Sequence, residues 1–123
     1  MLEAYSTNIA VGANANIPFN STTIIKGCTA TKPSADTFNL NKCGVYMVSV
    51  DASTGTSTTI QLYKDGVAQP QAQSTGLSPS FTTLVQVDHN NSNCCCSSPT
   101  TIQVRNTTAG TFTDANICIT KVC

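Results

Sequence analysis

An all-β fold follows from three features of the 123-residue sequence. Thr, Ser, Asn, Gln and small apolar residues fill the chain, with no Trp and few long helix formers. Thr and Val favour pleated strands, whereas Asn, Ser, Gly and Pro favour turns. Apolar residues recur at every second position rather than at helical spacing, which marks half-buried strands. Turn signals interrupt these runs at the roughly 8 to 12-residue spacing typical of sandwiches. About eight to ten short antiparallel strands are expected, in a single domain spanning residues 1–123, because this length supports one core and not two.

Taken in order, "YSTNIAV" and "IPFNSTTIIKG" predict two or three short strands, with Pro18 at an edge or strand start because it cannot donate to a ladder. "CGVYMVSVDAS" is apolar on both faces at Val45 to Val48, then alternates with Val48 and Val50 on one side and Ser49 and Asp51 on the other. It predicts a central strand passing from core to surface. "TTIQLYKDGVAQ" places Ile60 and Leu62 opposite Gln61 and Tyr63 before reaching Asp65-Gly66, the strongest hairpin signal in the chain.

"SFTTLVQVDH" puts Phe81, Thr83, Val85 and Val87 on one face, and "TTIQVRN" turns Ile102 and Val104 inward, Gln103 and Arg105 outward. The polar stretch "DHNNSNCCCSSP", Asp88 to Pro99, is then a loop joining two strands. "FTDANICITKV" closes the chain with Ile117 and Ile119 opposed to Cys118 and Thr120, a last, well-buried strand. Val45, Tyr46, Met47, Val48, Ile117 and Ile119 are the candidates for core or subunit contacts.

Charge excludes one class of partner. The net charge is zero, only 10% of residues are charged and Arg105 is the sole arginine, so the basic footprint of a nucleic-acid binder is missing. The N-terminus carries Glu3 and no basic region, so it does not read as a secretory signal. No stretch approaches the roughly 20 apolar residues that cross a bilayer. The expectation is a soluble protein made in the cytoplasm, with no membrane partner.

The loop at Asp88 to Pro99 holds the single histidine and three of the seven cysteines. A zinc site would draw on His89, Cys94 and Cys96, but contiguous cysteines alternate in direction, and no fourth ligand is identifiable. Cysteine catalysis needs a base oriented by a third group; Asp88 and His89, adjacent in an extended chain, face opposite ways. No catalytic residue, metal or cofactor is therefore expected. Disulfides fit better: one or two among Cys28, Cys43, Cys94, Cys95, Cys96, Cys118 and Cys123 once the protein meets an oxidising milieu, for example Cys28 with Cys43 across the loop "TATKPSADTFNLNK". An odd number leaves a thiol free or paired between chains. Cys43 and Cys118 fit equally well as buried free thiols acting as small hydrophobes. Two glycosylation-type triplets, at Asn20 and Asn106, are what chance produces in so Thr-rich a chain.

The succession "IPFN", "NLNKCGVYMVSVDAS", "TTIQLYKDGVAQPQAQST", "SFTTLVQVD" and "PTTIQVRNTTAGTFTDANICITKV" resembles the trimeric jelly rolls of the tumour necrosis factor and complement globular-head type. Within that type it looks like the bacterial and phage branch, which includes exosporium glycoprotein C-terminal domains and small virion proteins of phages infecting Firmicutes. The resemblance spans about Asn8 to Val122 and rests on Gly44 to Tyr46, the hairpin at Leu62 to Gly66 and the final strand. It implies two antiparallel Greek-key sheets and a threefold homotrimer around an apolar axis.

No collagen-like stalk is expected before the domain, and a jelly roll made in the cytoplasm suits a virion component. The first functional reading is a non-enzymatic structural protein of a phage particle, a trimeric capsid decoration or cement protein whose partners are itself and capsid or other virion proteins. The alternative is a receptor-binding tip or a bacterial or spore-surface module recognising carbohydrate or protein through its loops. A glycan site would need an exposed aromatic beside amides, and the Asp88 to Pro99 loop has amides without an aromatic.

Overall fold

In the computed structural model, residues 1–27, 29–87 and 100–123 are described. Eleven strands follow one another: β1 (Leu2–Val11), β2 (Ala15–Asn16), β3 (Ser21–Ile25), β4 (Ala30–Ser34), β5 (Thr37–Leu40), β6 (Gly44–Thr54), β7 (Thr58–Lys64), β8 (Val67–Gly76), β9 (Ser80–Val87), β10 (Thr100–Asn106) and β11 (Gly110–Lys121). They form a five-stranded sheet in the order β3-β1-β11-β6-β9 and a second sheet in the order β4-β5-β10-β7-β8, with β2 also paired to β10. Every pairing is antiparallel. The fold is an antiparallel jelly-roll sandwich.

The two inner faces supply one continuous core. β6 sends Tyr46, Val48 and Val50 inward, β11 sends Ala115, Ile117 and Ile119, and the facing sheet answers with Phe38, Leu40, Ile60, Leu62, Ile102 and Val104. Phe19, on the segment linking β2 to β3, tilts against Phe38 with ring centroids 5.7 Å apart, a favourable aromatic arrangement. The alternation read from the sequence in β6, β7, β9, β10 and β11 is the alternation of burial along those strands.

Turn chemistry sets the hairpins. Asp65 (φ 50°) and Gly66 (φ 80°) form the two-residue connection from β7 to β8, and two positive φ values in succession match the twist of the flanking strands. The Asp65 carboxylate accepts from the Thr101 amide at 2.9 Å, tying this hairpin to the start of β10.

The ends of the chain depart from the sequence reading. The two or three N-terminal strands expected are β1, β2 and β3, but β1 is ten residues long rather than short, because β11 pairs with it from Leu2 to Val11. Asn8, at φ 52°, changes which face points inward midway: Leu2, Ala4 and Ser6 are buried before it and Val11 after it. Pro18 lies between β2 and β3, outside any strand. The stretch "TATKPSADTFNLNK" is not a loop but the hairpin β4–β5, anchored by the inward Phe38 and Leu40. Pro33 is accommodated because β4 is an edge strand.

Candidate functional site on the outer face of the five-stranded sheet

Sequence parity assigns this face residue by residue. Along β6 the inward set is Tyr46, Val48 and Val50, so Val45, Met47, Ser49 and Asp51 face outward. Along β9, Thr83 and Val85 are buried and Thr82, Leu84 and Gln86 are exposed. Along β11, Cys118 and Thr120 lie opposite Ile117 and Ile119. The six candidates for core or subunit contacts therefore separate. Tyr46, Val48, Ile117 and Ile119 are core residues at 0% exposure, whereas Met47 is 40% exposed and Val45 is half-buried beside it.

The strand register places these outward residues in rows. Leu84 pairs with Met47, and Met47 with Thr120. The next row runs Thr82, Ser49, Cys118, Glu3 and Ile24, with the Ser49 and Thr82 hydroxyls 3.1 Å apart. The row beyond holds Ser80, Asp51, Asn116, Tyr5 and Ser21. Val122 continues the outward parity of β11, Met1 that of β1, and the Val122 amide donates to the Val45 carbonyl at 2.8 Å. Leu84 (60%), Val122 (50%), Met1 (45%) and Met47 (40%) are thus exposed apolar side chains at one end of the face, with Glu3 in the adjoining row and Asp51 and Asp114 toward the other end.

Leu84, Val122 and Met1 were absent from the sequence candidates. The signal was present for Leu84, the one large apolar residue out of phase in "SFTTLVQV", between Thr82 and Gln86. A single apolar residue on a solvent face is ordinary. It gains weight only when the register sets Met47 directly beside it.

The end of the sheet nearest this apolar group is fixed by Gly44 and Tyr46. Gly44 has φ 138°, and a Cβ there would stand 2.5 Å from the Cys123 carbonyl oxygen and 2.7 Å from Lys121 Cε. The Tyr46 hydroxyl is buried against the Lys42 carbonyl at 2.7 Å. Burial pushes the Tyr46 pKa above 10.0, and the hydrogen bond with the Lys42 backbone opposes that rise only in part.

Cys43, next to Gly44, is disulfide-bonded, which corrects its alternative reading as a buried free thiol: it precedes β6 and packs into no strand face. Cys118 and Cys123 are free thiols. Cys118 is half-buried on the outer face rather than in the core. Cys28, His89, Cys94, Cys95 and Cys96 lie outside the described residues. Among the described residues no group of His, Cys, Asp and Glu side chains is placed to hold a metal ion, and no helix is long and apolar enough to cross a membrane.

The two glycosylation-type triplets also separate. Asn20 is exposed. Asn106 is fully buried, with Nδ2 donating to the carbonyls of Gly12 (3.2 Å) and Thr108 (2.6 Å) and Oδ1 accepting from the Thr58 hydroxyl.

No protein-family model and no curated protein matches the sequence. Solved structures do match its fold. The globular domain of the zebrafish complement 1qA protein aligns with a TM-score of 0.78 at 10% identity, covering 99% of this chain and 96% of that chain. The vertex protein P5 of the phage PRD1 aligns at 0.67 and 13% identity over 99% and 96%. Rabbit GITRL aligns at 0.65 and 13% identity over 100% and 95%. Likeness at such low identity is a likeness of fold, and this chain has the jelly-roll fold shared by tumour necrosis factor and complement globular-head domains.

Proposed function

We propose that this chain is a non-enzymatic structural protein of a phage particle, made in the bacterial cytoplasm and incorporated into the virion as a trimeric capsid decoration protein. Its partners in this reading are two further copies of itself and a capsid or other virion protein, with neither nucleic acid nor membrane. The observation that carries the reading is the exposed apolar group Leu84, Met47, Val122 and Met1 on the outer face of a sheet whose inner face already closes a full core. Large apolar side chains gathered on one face mark an association surface, and a cyclic trimer is the oligomer that the resembled family forms with this fold. The fold likeness to the PRD1 vertex protein supports the virion setting, as does the sparsely charged, Thr- and Gln-rich exterior.

Light scattering after size exclusion tests the assembly: a mass three times that of the chain at micromolar concentration is expected, and a monomer overturns it. The genes flanking this one test the setting. Capsid and tail genes on both sides support it, and a host surface locus overturns it.

A second reading, a receptor-binding tip or bacterial surface module, is favoured by one observation on the opposite sheet. There the half-buried Arg105 guanidinium lies 4.0 Å over the Tyr63 ring among amide side chains.

A further inference from the structure

The outer face of the second sheet carries the aromatic and the amides that the sequence from Asp88 to Pro99 does not combine. β10 and β7 pair Gln103 with Tyr63 and Arg105 with Gln61, and β2 pairs Asn16 with Arg105. All five side chains are half-buried, so they are held in place and still reachable. Arg105 is the sole arginine of the chain. Its Cζ lies 4.0 Å over the centre of the Tyr63 ring, a cation–π contact that holds the guanidinium in place, and a guanidinium so held suits two parallel bonds to a carboxylate.

Among the described residues, no side-chain hydrogen bond or ion pair engages this guanidinium. Its Nε is buried without a partner, and so is Oδ1 of the neighbouring Asn16. A buried donor and a buried acceptor left unmatched on adjacent strands are uncommon in a folded protein. Both atoms are shut off from solvent in this arrangement, so a ligand hydroxyl, which accepts and donates at once, meets them only after the two side chains turn outward.

The rest of the face is furnished for hydroxyls as well. The Asn16 amide donates to the Asp36 carboxylate at 3.4 Å, and Gln103 Nε2 donates to the Thr37 hydroxyl at 2.9 Å, leaving the Gln103 carbonyl oxygen as an acceptor. Hydroxyls of Ser34 and Thr37 complete the shell of Asp36. Asp36 repels a second carboxylate on its own side of Arg105 but accepts hydroxyl protons readily. No large apolar side chain stands in this group to receive the side chains of a peptide.

We propose that the group Arg105, Tyr63, Gln61, Gln103, Asn16 and Asp36 binds an acidic saccharide. The ligand's carboxylate takes the guanidinium on the Gln61 and Tyr63 side, and its hydroxyls take Asn16, Asp36 and Gln103. The site lies on the sheet opposite the proposed trimer face, so it stands or falls independently of the oligomeric state.

Titration of the isotope-labelled protein with a trigalacturonate, followed by amide chemical shifts, tests this. Saturable shifts confined to residues 16, 36, 61–63 and 103–105 are expected, with affinity at least about tenfold weaker for the neutral galactose trimer and for acetate, since a pre-organised guanidinium bond to a carboxylate and the hydroxyl contacts each contribute. Arg105→Gln is expected to weaken binding at least about tenfold. Gln103→Ala and Tyr63→Leu provide variants that spare the arginine should Arg105→Gln unfold, and each is expected to weaken binding severalfold. Absence of shifts, shifts equal for a polyglutamate peptide, or shifts unchanged by all three substitutions overturn the proposal.

Discussion

The Tyr46 hydroxyl lies within hydrogen-bonding distance of the Lys42 carbonyl (2.7 Å) and the Thr29 carbonyl (3.3 Å), so one buried side chain ties the segment before β6 to the segment before β4. The ring belongs to the core at 0% exposure, and the polar tip organises the turn that carries the disulfide-bonded Cys43. Tyr46→Phe keeps the ring and removes the tip. A loss of about 1–2 kcal/mol is expected, the cost of unpairing buried backbone carbonyls, read as a lower urea midpoint with unchanged slope. Tyr46→Ala removes the ring as well, and a loss of about 3–5 kcal/mol is expected for a large aromatic cavity.

Gly44, the first residue of the Gly44 to Tyr46 stretch, is required by its surroundings. At φ 138° the position is strained for any side chain, and the Cys123 carbonyl oxygen and Lys121 Cε occupy the space a Cβ would need. Gly44→Ala is expected to cost about 2 kcal/mol or more, combining backbone strain of about 1–3 kcal/mol with displacement of the C-terminus. Removing Val122 and Cys123 from that variant takes away the carbonyl oxygen and frees the Lys121 side chain that it holds at 2.6 Å, and so relieves the steric part alone. Thermal melts of the single variant, the truncation and the combination separate the two costs, and additive losses in the combination contradict the steric account.

Local alternation was legible wherever one face of a strand meets the core. Ile60 and Leu62, Ile102 and Val104, and Ile117 and Ile119 each announced their inward side. The hairpin at Asp65-Gly66 was legible because only a few residue types tolerate two positive φ values in succession. The β4–β5 hairpin was not, because four- and five-residue strands with a proline and a central Ala-Asp turn give too short an alternation to separate from a loop. The single long β1 was hidden for a different reason: Asn8 shifts its phase, so the pattern looks broken while the backbone pairing with β11 continues. Which outward residues of different strands stand together was out of reach. Whether Leu84 meets Met47, or Arg105 meets Tyr63, is decided by register between strands distant in sequence, and no local period encodes it.

Asn106 acts as a clamp at the end of the sandwich, joining Gly12, Thr58 and Thr108 through one fully buried amide. Asn106→Ala removes a fully buried amide and takes from the buried Thr58 hydroxyl its acceptor, while the Gly12 and Thr108 carbonyls sit on exposed residues that water reaches, and a loss of about 1–3 kcal/mol is expected. The same burial predicts the fate of the two glycosylation-type triplets. When the chain is directed through a eukaryotic secretory pathway, mass spectrometry is expected to find glycan at the exposed Asn20 and none at Asn106 once folding precedes modification. Full occupancy at Asn106 contradicts the clamp.

Asp36 gives a pH signature. Its burial alone would raise the pKa, but hydrogen bonds from Ser34, Thr37 and Asn16 and from its own backbone amide outweigh that and hold it below 3.8. With the folded value lower than the unfolded one, the ionised carboxylate contributes stability that is fully present above pH 3.8 and is lost as pH falls through the folded pKa. Wild-type protein is therefore expected to lose stability in that acid window, and Asp36→Asn is expected to lose less of it there. The contribution is small, because the group is only partly buried and solvent screens it. Parallel pH profiles of the two proteins in urea decide the matter, and identical profiles contradict the hydrogen-bonded account.

The apolar end of the five-stranded sheet makes the assembly testable by substitution. Leu84 and Met47 are 60% and 40% exposed, so burying them across an interface contributes about 1–2 kcal/mol each per protomer. Leu84→Arg or Met47→Glu places a charge where a neighbouring copy must desolvate it, a larger penalty than the apolar contact it removes. Each variant is expected to elute as a monomer with unchanged far-ultraviolet circular dichroism, because neither side chain enters the core. Wild-type melting temperature is expected to rise with protein concentration, as it does when association stabilises the folded state, and that dependence vanishes in the variants. Val67→Arg is the control: Val67 is 63% exposed but lies on β8 of the other sheet, so a trimer that forms through Leu84 and Met47 tolerates it. Dissociation by Val67→Arg with retention by Leu84→Arg would move the interface to the opposite sheet.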